Sequence, residues 1–525
     1  MSLSSPCLPV AMISTPDQRE QTGETSGTTL HLCMLIALYA IPIVVAVRAV
    51  ADPVIDPDIW WHLRVGQWVV EHHAVPATDP FSRYGVDRPW IAYSWLYEVL
   101  VFRLYEAFGL AGIVAYRVAM SMAVVAALHR LVRRREPRFL VATALTAVAA
   151  LAMAPLFSER PWLVTILFTT LTLDVLLNLR AGQASRWIWL LPFAFVLWAN
   201  LHIQFVYGLL LLGLACVAPG IDALLARQRG EDVGKVVSWR VVLLTGLCLL
   251  ATLANPYHGQ LYRVVVEYAT QSGPFHCVNE LRALEFREAS DWVMLLLGGA
   301  AVFALGRRRR LGSFEVLLLT CAGALAFRSR RELWFLVLAG VAILATQHRR
   351  RAAGRCREPS GTSLVRLGSR HLPLKQWIAI GAALTVLIGL VAWRRGLSEE
   401  NMGRKVAEVF PVEAAAVVAA RGYAGPLYND FNWGGFLIWS LPQLPVVLDG
   451  RTNLHGDERI LRIGNTWAAG PGWRDDPDLA TAGVVIADAQ SPLGCVLVLD
   501  DRFQVVYEDR IARVFVRRQP GSWNH

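Results

Sequence analysis

The sequence predicts a polytopic α-helical membrane protein of about eleven transmembrane helices, with a small C-terminal α/β domain on the extracytoplasmic side. Three observations lead there. Of the 525 residues, 55% are hydrophobic and 18% charged, with a mean hydropathy of +0.41, far from a soluble globular composition. The apolar residues gather into runs long enough to cross a bilayer, and the connections alternate between arginine-rich stretches and stretches of mixed polar residues. After residue 394 the composition changes to that of a soluble domain.

Residues 1–28 are polar and rich in Ser, Thr and Gln. They lack a basic segment ahead of an apolar core and a small-residue cleavage site, so they read as a short disordered cytoplasmic tail and not as a cleaved signal. The membrane domain then covers 29–394, with apolar runs near 30–51, 110–132, 139–157, 163–179, 187–201, 203–224, 240–254, 291–306, 312–327, 331–347 and 375–393. Around 198–208 the chain is either continuous helix or a re-entrant turn. Cys33, Cys216, Cys248 and Cys321, four of eight cysteines, lie inside apolar runs and no C-x-x-C pair occurs, which argues against a disulfide framework or a cysteine metal site.

Orientation follows from the arginines. One set of connections holds Arg130 with Arg133, Arg134, Arg135 and Arg138, then Arg180 and Arg186, then Arg227, Arg229, Lys235 and Arg240, then Arg307 through Arg310, then Arg349 through Arg351 with Arg355 and Arg357. By the positive-inside bias these are cytoplasmic, and the N-terminus with them. The bias also explains the formal net charge of +10 without a nucleic-acid partner. As charge runs, they read as solvated faces.

The opposite connections carry the polar clusters that can do chemistry. The first outer loop, 52–109, opens with Asp52-Pro-Val-Ile-Asp56-Pro-Asp58-Ile-Trp60-Trp61-His62. Pro53 and Pro57 keep its acidic part extended, so residues two apart face one way and Asp56 and Asp58 can share a pocket. Their mutual repulsion raises one pKa, as a general base needs. From Ile59 a helix lying at the interface would set His62 about one turn in. The competing reading is structural: the acids cap that helix and the tryptophans anchor it in the interface.

Within the same loop 79–82 is turn-like and 95–108 is a second interfacial helix, interrupted by Glu98 and Arg103. The remaining outer clusters are Ser158-Glu-Arg160-Pro-Trp162, Trp198-Ala-Asn200-Leu-His202, Asn255-Pro256-Tyr257-His258 and Phe327-Arg328-Ser-Arg330-Arg331-Glu332. Asn200, His202, Asn255, His258 and Trp61 are expected to line one cavity opening outward, although Asn and Pro at helix ends also act simply as stops. Arg328, Arg330 and Arg331 run against the positive-inside bias. Planar guanidinium forks at such a place suit phosphate oxygens, and an anionic lipid head group is the partner they imply. Residues 256–290 form an amphipathic connection that can cover the cavity.

The outer domain, 395–525, holds an Ala-rich helix at 411–421 and strands at 426–429, 446–449, 484–488, 503–507 and 511–517. Phe431-Asn-Trp433-Gly434-Gly435-Phe436 and Asp449-Gly450-Arg451 are strand-to-loop transitions whose ionisable and aromatic groups suit docking onto the membrane domain or binding a carbohydrate.

With these motifs the chain resembles the GT-C class of integral-membrane glycosyltransferases. Asp56-Pro-Asp58-Ile-Trp60-Trp61-His62-Leu63, Asp79-Pro-Phe-Ser82, Trp198-Ala-Asn200-Leu-His202, Asn255-Pro256-Tyr257 and Asp449-Gly450-Arg451 are similar to a narrower bacterial group of such multi-spanning proteins, over most of residues 30–470. The resemblance implies a polyprenyl-phosphate-linked sugar as donor and an acceptor outside the cytoplasm: a cell-envelope glycan, lipid or protein. Nucleotide sugars are cytoplasmic, so an outward site needs a lipid carrier. Asp56 or Asp58 is then the expected general base, and Arg160, Arg328, Arg330 and Arg331 the donor-phosphate ligands. His62 can orient the base, assist the leaving group or bind a metal. Asp56 and Asp58 also match a carboxylate pattern for Mg or Mn. Two other functions stay open: a small-molecule or lipid transporter, for which no strong internal repeat is visible, and a non-catalytic membrane scaffold.

Overall fold

Every apolar run carries a helix. The computed structural model describes residues 29–41, 44, 56–183, 186–231, 238–308, 310–353 and 374–518. The 1–28 tail, Asp52, Lys235, Arg309, Arg355 and Arg357 lie outside them. The membrane part comprises α1 (Thr29–Ile41), α2 (Asp58–His72), α3 (Trp95–Phe108), α4 (Leu110–Arg133), α5 (Phe139–Ala152), α6 (Trp162–Arg180), α7 (Leu191–Leu201), α8 (Val206–Gln228), α9 (Trp239–Ala251), α10 (Gln260–Thr270), α11 (Gly273–Cys277), α12 (Ala289–Gly306), α13 (Ser313–Arg328), α14 (Leu333–Ala353) and α15 (Leu374–Arg395).

Among the described residues four helices are long and apolar enough to cross a membrane: α4, α6, α12 and the stretch Ile203–Gln228 that contains α8. A fifth is added if α15 and the bent helix after it count as one span. The expectation of about eleven crossings is not met on length and composition. Helices α5, α7, α9 and α13 have 14, 11, 13 and 16 residues, roughly 16 to 24 Å at 1.5 Å per residue, against about 30 Å of hydrocarbon. The first half of α14 is apolar on every side and buried on every side, from Leu333 to Ile343, so it forms the centre of the bundle. Between α7 and α8 the chain breaks at His202, which is extended with φ −161° and ψ 137°.

Helix α2 departs from the expected interfacial helix. Asp58 through Leu63 are all buried, because the C-terminal domain sits on them. Trp60, expected as a membrane anchor, packs edge-on against Phe410 and Phe436 at 5.8 and 5.3 Å between ring centroids. Against its other side lies α3, crossing so closely that a Cβ on Gly66 would stand 2.1 Å from the Glu98 carbonyl oxygen.

The C-terminal domain is built from α16 (Glu399–Val406), α17 (Val412–Arg421), β1 (Leu427–Asn429), α18 (Gly434–Ser440), α19 (Thr452–His455), α20 (Asp457–Trp467), β2 (Val484–Asp488), β3 (Phe503–Glu508) and β4 (Ala512–Arg517). Its sheet has the order β1-β2-β4-β3, with β1 parallel to β2 and the other pairs antiparallel. Four of the five expected strands form. The fifth, 446–449, does not join the sheet; Val446 bridges Ser82 of the first outer loop instead. This bridge is part of a docking seam. Arg451, 1% exposed, donates from Nε and Nη2 to Asp449, both at 2.7 Å, and from Nη1 to Asp79 at 2.5 Å. His455 adds a bond to Asp449 at 3.2 Å, and the Arg451 guanidinium lies over the Trp90 ring. Gly435 completes the seam: a Cβ there would lie 2.3 Å from the Pro57 carbonyl oxygen.

Candidate functional site

A cavity of about 730 Å³ opens where α2, the turn before α6, the α7–α8 break, α10, the end of α13 and the C-terminal domain meet. Its lining is part polar, with Asp58, Arg160, Arg331, Gln271 and Thr452, and part apolar, with Val206, Leu210, Leu325, Val265 and Phe275.

The acidic entry to α2 is held by its own chain. Asp56 Oδ1 accepts from the Asp58 backbone N–H at 3.0 Å, an Asx turn ahead of the helix, whose N-cap is Pro57 with no side-chain cap. The other Asp56 oxygen accepts from Arg160 Nε, and Asp58 accepts from Arg160 Nη1. The acids thus do not cap the helix, as the competing reading of the sequence expected; they pair with Arg160. Asp58 and Arg160 line the cavity, whereas Asp56 stands behind them. Burial pushes the Asp56 carboxyl up to about 7, opposed by the Arg160 charge and reinforced by Asp58. Glu159, next to Arg160, pairs with Arg117 of α4 at 2.9 Å and fixes the turn from below. Gly450 covers Asp58 from the other side, so close that a Cβ would fall 1.9 Å from its Oδ1.

One helical turn on, His62 lines the same cavity. Its Nδ1 meets Glu98 Oε1 of α3 at 3.2 Å and its ring lies against Trp61, centroid to centroid at 3.6 Å. Burial first, and then the Arg160 charge, hold His62 well below the ordinary histidine range. Burial raises Glu98 well above the usual carboxylate range. In the sequence Glu98 is only an interruption of an apolar helix face. A carboxylate amid Tyr97, Val101 and Phe102 is the signal that could have found it, since acids are rarely fully buried without a partner.

The three outer arginines separate. Arg328 and Arg331 line the cavity; Arg330 does not, and turns toward Asp291 at 3.7 Å and Glu288 at 4.0 Å. Arg328 donates to the Ala269 carbonyl at 3.2 Å, lies over Phe275 and has no carboxylate within ion-pair distance among the described residues. Arg331 has Glu280 at 3.5 Å and Glu332 at 3.8 Å, with its Nε buried and without a hydrogen bond.

Of the remaining candidates, Trp61 and His202 line the cavity, His202 bonded to Thr165 at 2.7 Å. Asn200, Asn255 and His258 are elsewhere, on a separate surface groove with Trp95 and Phe193. Asn200 is structural: it accepts from Trp95 Nε1 at 2.8 Å and donates to the Ala254 carbonyl at 2.9 Å. Asn255 turns the chain by accepting from the Tyr257 N–H at 2.8 Å. The structure thus sets these three residues apart from the cavity that Trp61 and His202 line.

The Mg or Mn reading of Asp56 and Asp58 does not fit this arrangement. Their facing oxygens hold the Arg160 guanidinium, and among the described residues no group of three His, Cys, Asp or Glu side chains could hold a metal ion.

No family model and no curated protein matches the chain. Among solved structures it is similar to ArnT from Cupriavidus metallidurans bound to undecaprenyl phosphate, at 14% identity over 91% of this chain and 97% of that one, TM-score 0.43. It is also similar to the Archaeoglobus fulgidus oligosaccharyltransferase tethered with an acceptor peptide, at 12% identity over 88% of this chain and 69% of that one, TM-score 0.49. At these identities and TM-scores the likeness is coarse and assigns the chain no substrate.

Proposed function

We propose that this protein is a glycosyltransferase of the cytoplasmic membrane that moves a sugar from a polyprenyl-phosphate carrier to an acceptor on the outer side. The observation that carries the reading is one cavity with two chemistries. Arg331, with donor capacity left over, and Arg328, with no carboxylate partner among the described residues, line it, together with apolar side chains of α8, α10 and α13. A phosphate carrying a long prenyl chain has that distribution of charge and apolar surface.

In the transfer, the acceptor hydroxyl attacks the anomeric carbon, the carbon–oxygen bond to the carrier phosphate breaks, and the electron pair stays on the phosphate. Arg328 and Arg331 stabilise that growing charge. Arg160 lies beside them but is engaged by Asp56 and Asp58, so it sets the acidic edge of the site in place. The acceptor proton goes to Asp58 or His62, which lie one turn apart on the cavity wall. Phe431, Asn432 and Thr452 bring the C-terminal domain to the same cavity, on the side an extracytoplasmic acceptor would approach.

The test is mass spectrometry of polyprenyl-linked sugars and envelope glycans from cells with and without the gene, and with Arg331→Gln. The expected result is an accumulating lipid-linked sugar and a matching loss from a glycan, lipid or protein. Unchanged profiles in both strains would sink the reading.

A further inference from the structure

We infer that His62 and Glu98 form a relay that carries the acceptor's proton away from the cavity, with His62 as the group that takes it and Glu98 as the positioning residue behind it. This deepens the transferase reading and rests on it.

Three observations carry the inference. First, both carboxylates that the sequence offers as bases are occupied: their facing oxygens hold the Arg160 guanidinium, and Asp56 is not among the side chains that line the cavity. Second, His62 presents two different nitrogens. Nδ1 is taken by Glu98 at 3.2 Å, while Nε2 makes no hydrogen bond among the described residues and the side chain lines the cavity. Third, Glu98 is 1% exposed, has no Arg or Lys within ion-pair distance among the described residues, and its second oxygen, Oε2, is buried without a partner. A buried carboxylate in that setting favours taking a proton.

The steps balance. Nε2 of neutral His62 takes the proton of the acceptor hydroxyl as the new carbon–oxygen bond forms. Nδ1 hands its own proton to Glu98 Oε1, so the imidazole ends neutral in the other tautomer and Glu98 ends as a carboxylic acid. The leaving electron pair stays on the carrier phosphate. His62 never needs to remain charged, which suits its surroundings: Arg160 from the turn before α6, His202 from the α7–α8 break and Arg451 from the C-terminal domain all disfavour a second positive charge there, and the acid that faces it is Glu98 of α3 at 3.2 Å.

The experiment uses the full-length protein in detergent or nanodiscs, with undecaprenyl phosphate as the binding probe. Transfer is followed by release of carrier phosphate from the polyprenyl-linked sugars extracted from the source cells, between pH 5 and 9. Wild type should be more active toward high pH, where Glu98 is ionised and ready to receive the proton. Glu98→Gln should bind the probe as wild type does, transfer at least about a hundredfold more slowly, and lose the acid limb of the profile. Glu98→Asp should recover part of the rate and the limb. His62→Gln keeps a hydrogen-bonding side chain but cannot take a proton, and supplies a second test if Glu98→Gln does not fold; it should be inactive at every pH. Wild-type rates and profile in either folded variant would overturn the relay while leaving the transferase reading intact. Failure of wild type itself to bind the probe and turn over would instead remove the reading on which the relay rests.

Discussion

Replacing Arg451 by Met tests whether the C-terminal domain is held on the first outer loop by one buried charge cluster. Arg451 is 1% exposed and both its acids, Asp79 and Asp449, are fully buried. Methionine keeps much of the apolar stem over Trp90 but removes the charge-assisted bonds to the two carboxylates. Asp79 would keep the backbone N–H groups of Phe81 and Ser82 and the Ser82 hydroxyl, and Asp449 would keep His455. Neither set brings a permanent positive charge. Removing one partner from a buried pair costs about 3 to 5 kcal/mol, and at roughly 2 to 4 °C per kcal/mol the melting temperature should fall by about 6 to 20 °C. The sign of the pH dependence follows too. Burial raises the Asp449 carboxyl, but the charges of Arg451 and His455 overcome this and hold it well below the usual carboxylate range. A depressed carboxylate contributes stability above its unfolded pKa, about 3.9, and loses it as pH falls toward the folded value. Docking should therefore hold from neutral pH down to about pH 4 and weaken below, whereas in Arg451→Met this acid-side loss should shrink or vanish, because the guanidinium charge that protonation of Asp449 would strand is gone. Thermal unfolding in detergent, with limited proteolysis for release of the domain, reads both. A melting temperature within about a degree of wild type would refute the seam.

Other outcomes are expected from the same geometry. Arg331→Gln should weaken binding of undecaprenyl phosphate by about tenfold to a hundredfold, for one lost charge-assisted bond of about 1.5 to 3 kcal/mol, while Arg330→Gln, whose parent side chain faces Asp291 and Glu288, should bind normally; equal losses would disprove the division between them. Gly450→Ala should displace Asp58 from Arg160, since the new Cβ would lie 1.9 Å from its Oδ1, and slow transfer about tenfold or more; a wild-type rate in a folded variant would show that this edge of the site is slack. Reporter fusions after residues 135, 230 and 352 should read cytoplasmic, and those after 85, 272 and 450 should read outside. The last three must agree with one another, because Arg83 bonds to Thr481 and Ser272 to Asp457.

The sequence was most legible where a residue type has few alternatives. Apolar runs become helices because their backbone groups have no other partner in lipid, whereas Gly435 and Gly450, which the sequence offers only as parts of strand-to-loop transitions, are close approaches that the structure alone reveals against Pro57 and Asp58. Of the residues the motifs offered for one cavity, Asp58, Trp61, His62, Arg160, His202, Arg328 and Arg331 line a single one. What stayed hidden was direction. Arg330 and Arg331 are neighbours in a short 3-10 turn, and consecutive residues there point apart, so the sequence cannot say which one faces the cavity. Asn200 and Asn255 were similarly ambiguous, as residues that can line a site or tie a backbone. Glu98 was hidden because its partner is 36 residues away, a contact that only the crossing of α2 and α3 creates.

Most of the arginines around the cavity are matched by acids. Arg117 is matched by Glu159, Arg160 by Asp56 and Asp58, and Arg330 by Asp291. The cavity wall itself carries three arginines, Arg160, Arg328 and Arg331, and three acids, Asp58, Glu280 and Glu332, so it holds little net charge to draw an anion from a distance. Recognition must then come from short-range donors. Glu332 is occupied by Gln204 at 3.0 Å and Trp334 at 3.2 Å, which leaves Glu280 as the acid that a phosphate would displace from Arg331. A site of this kind discriminates by geometry: an anion gains only if it offers oxygens to Arg328 and Arg331 together and an apolar tail to α8 and α13, and a free phosphate satisfies the first condition without the second.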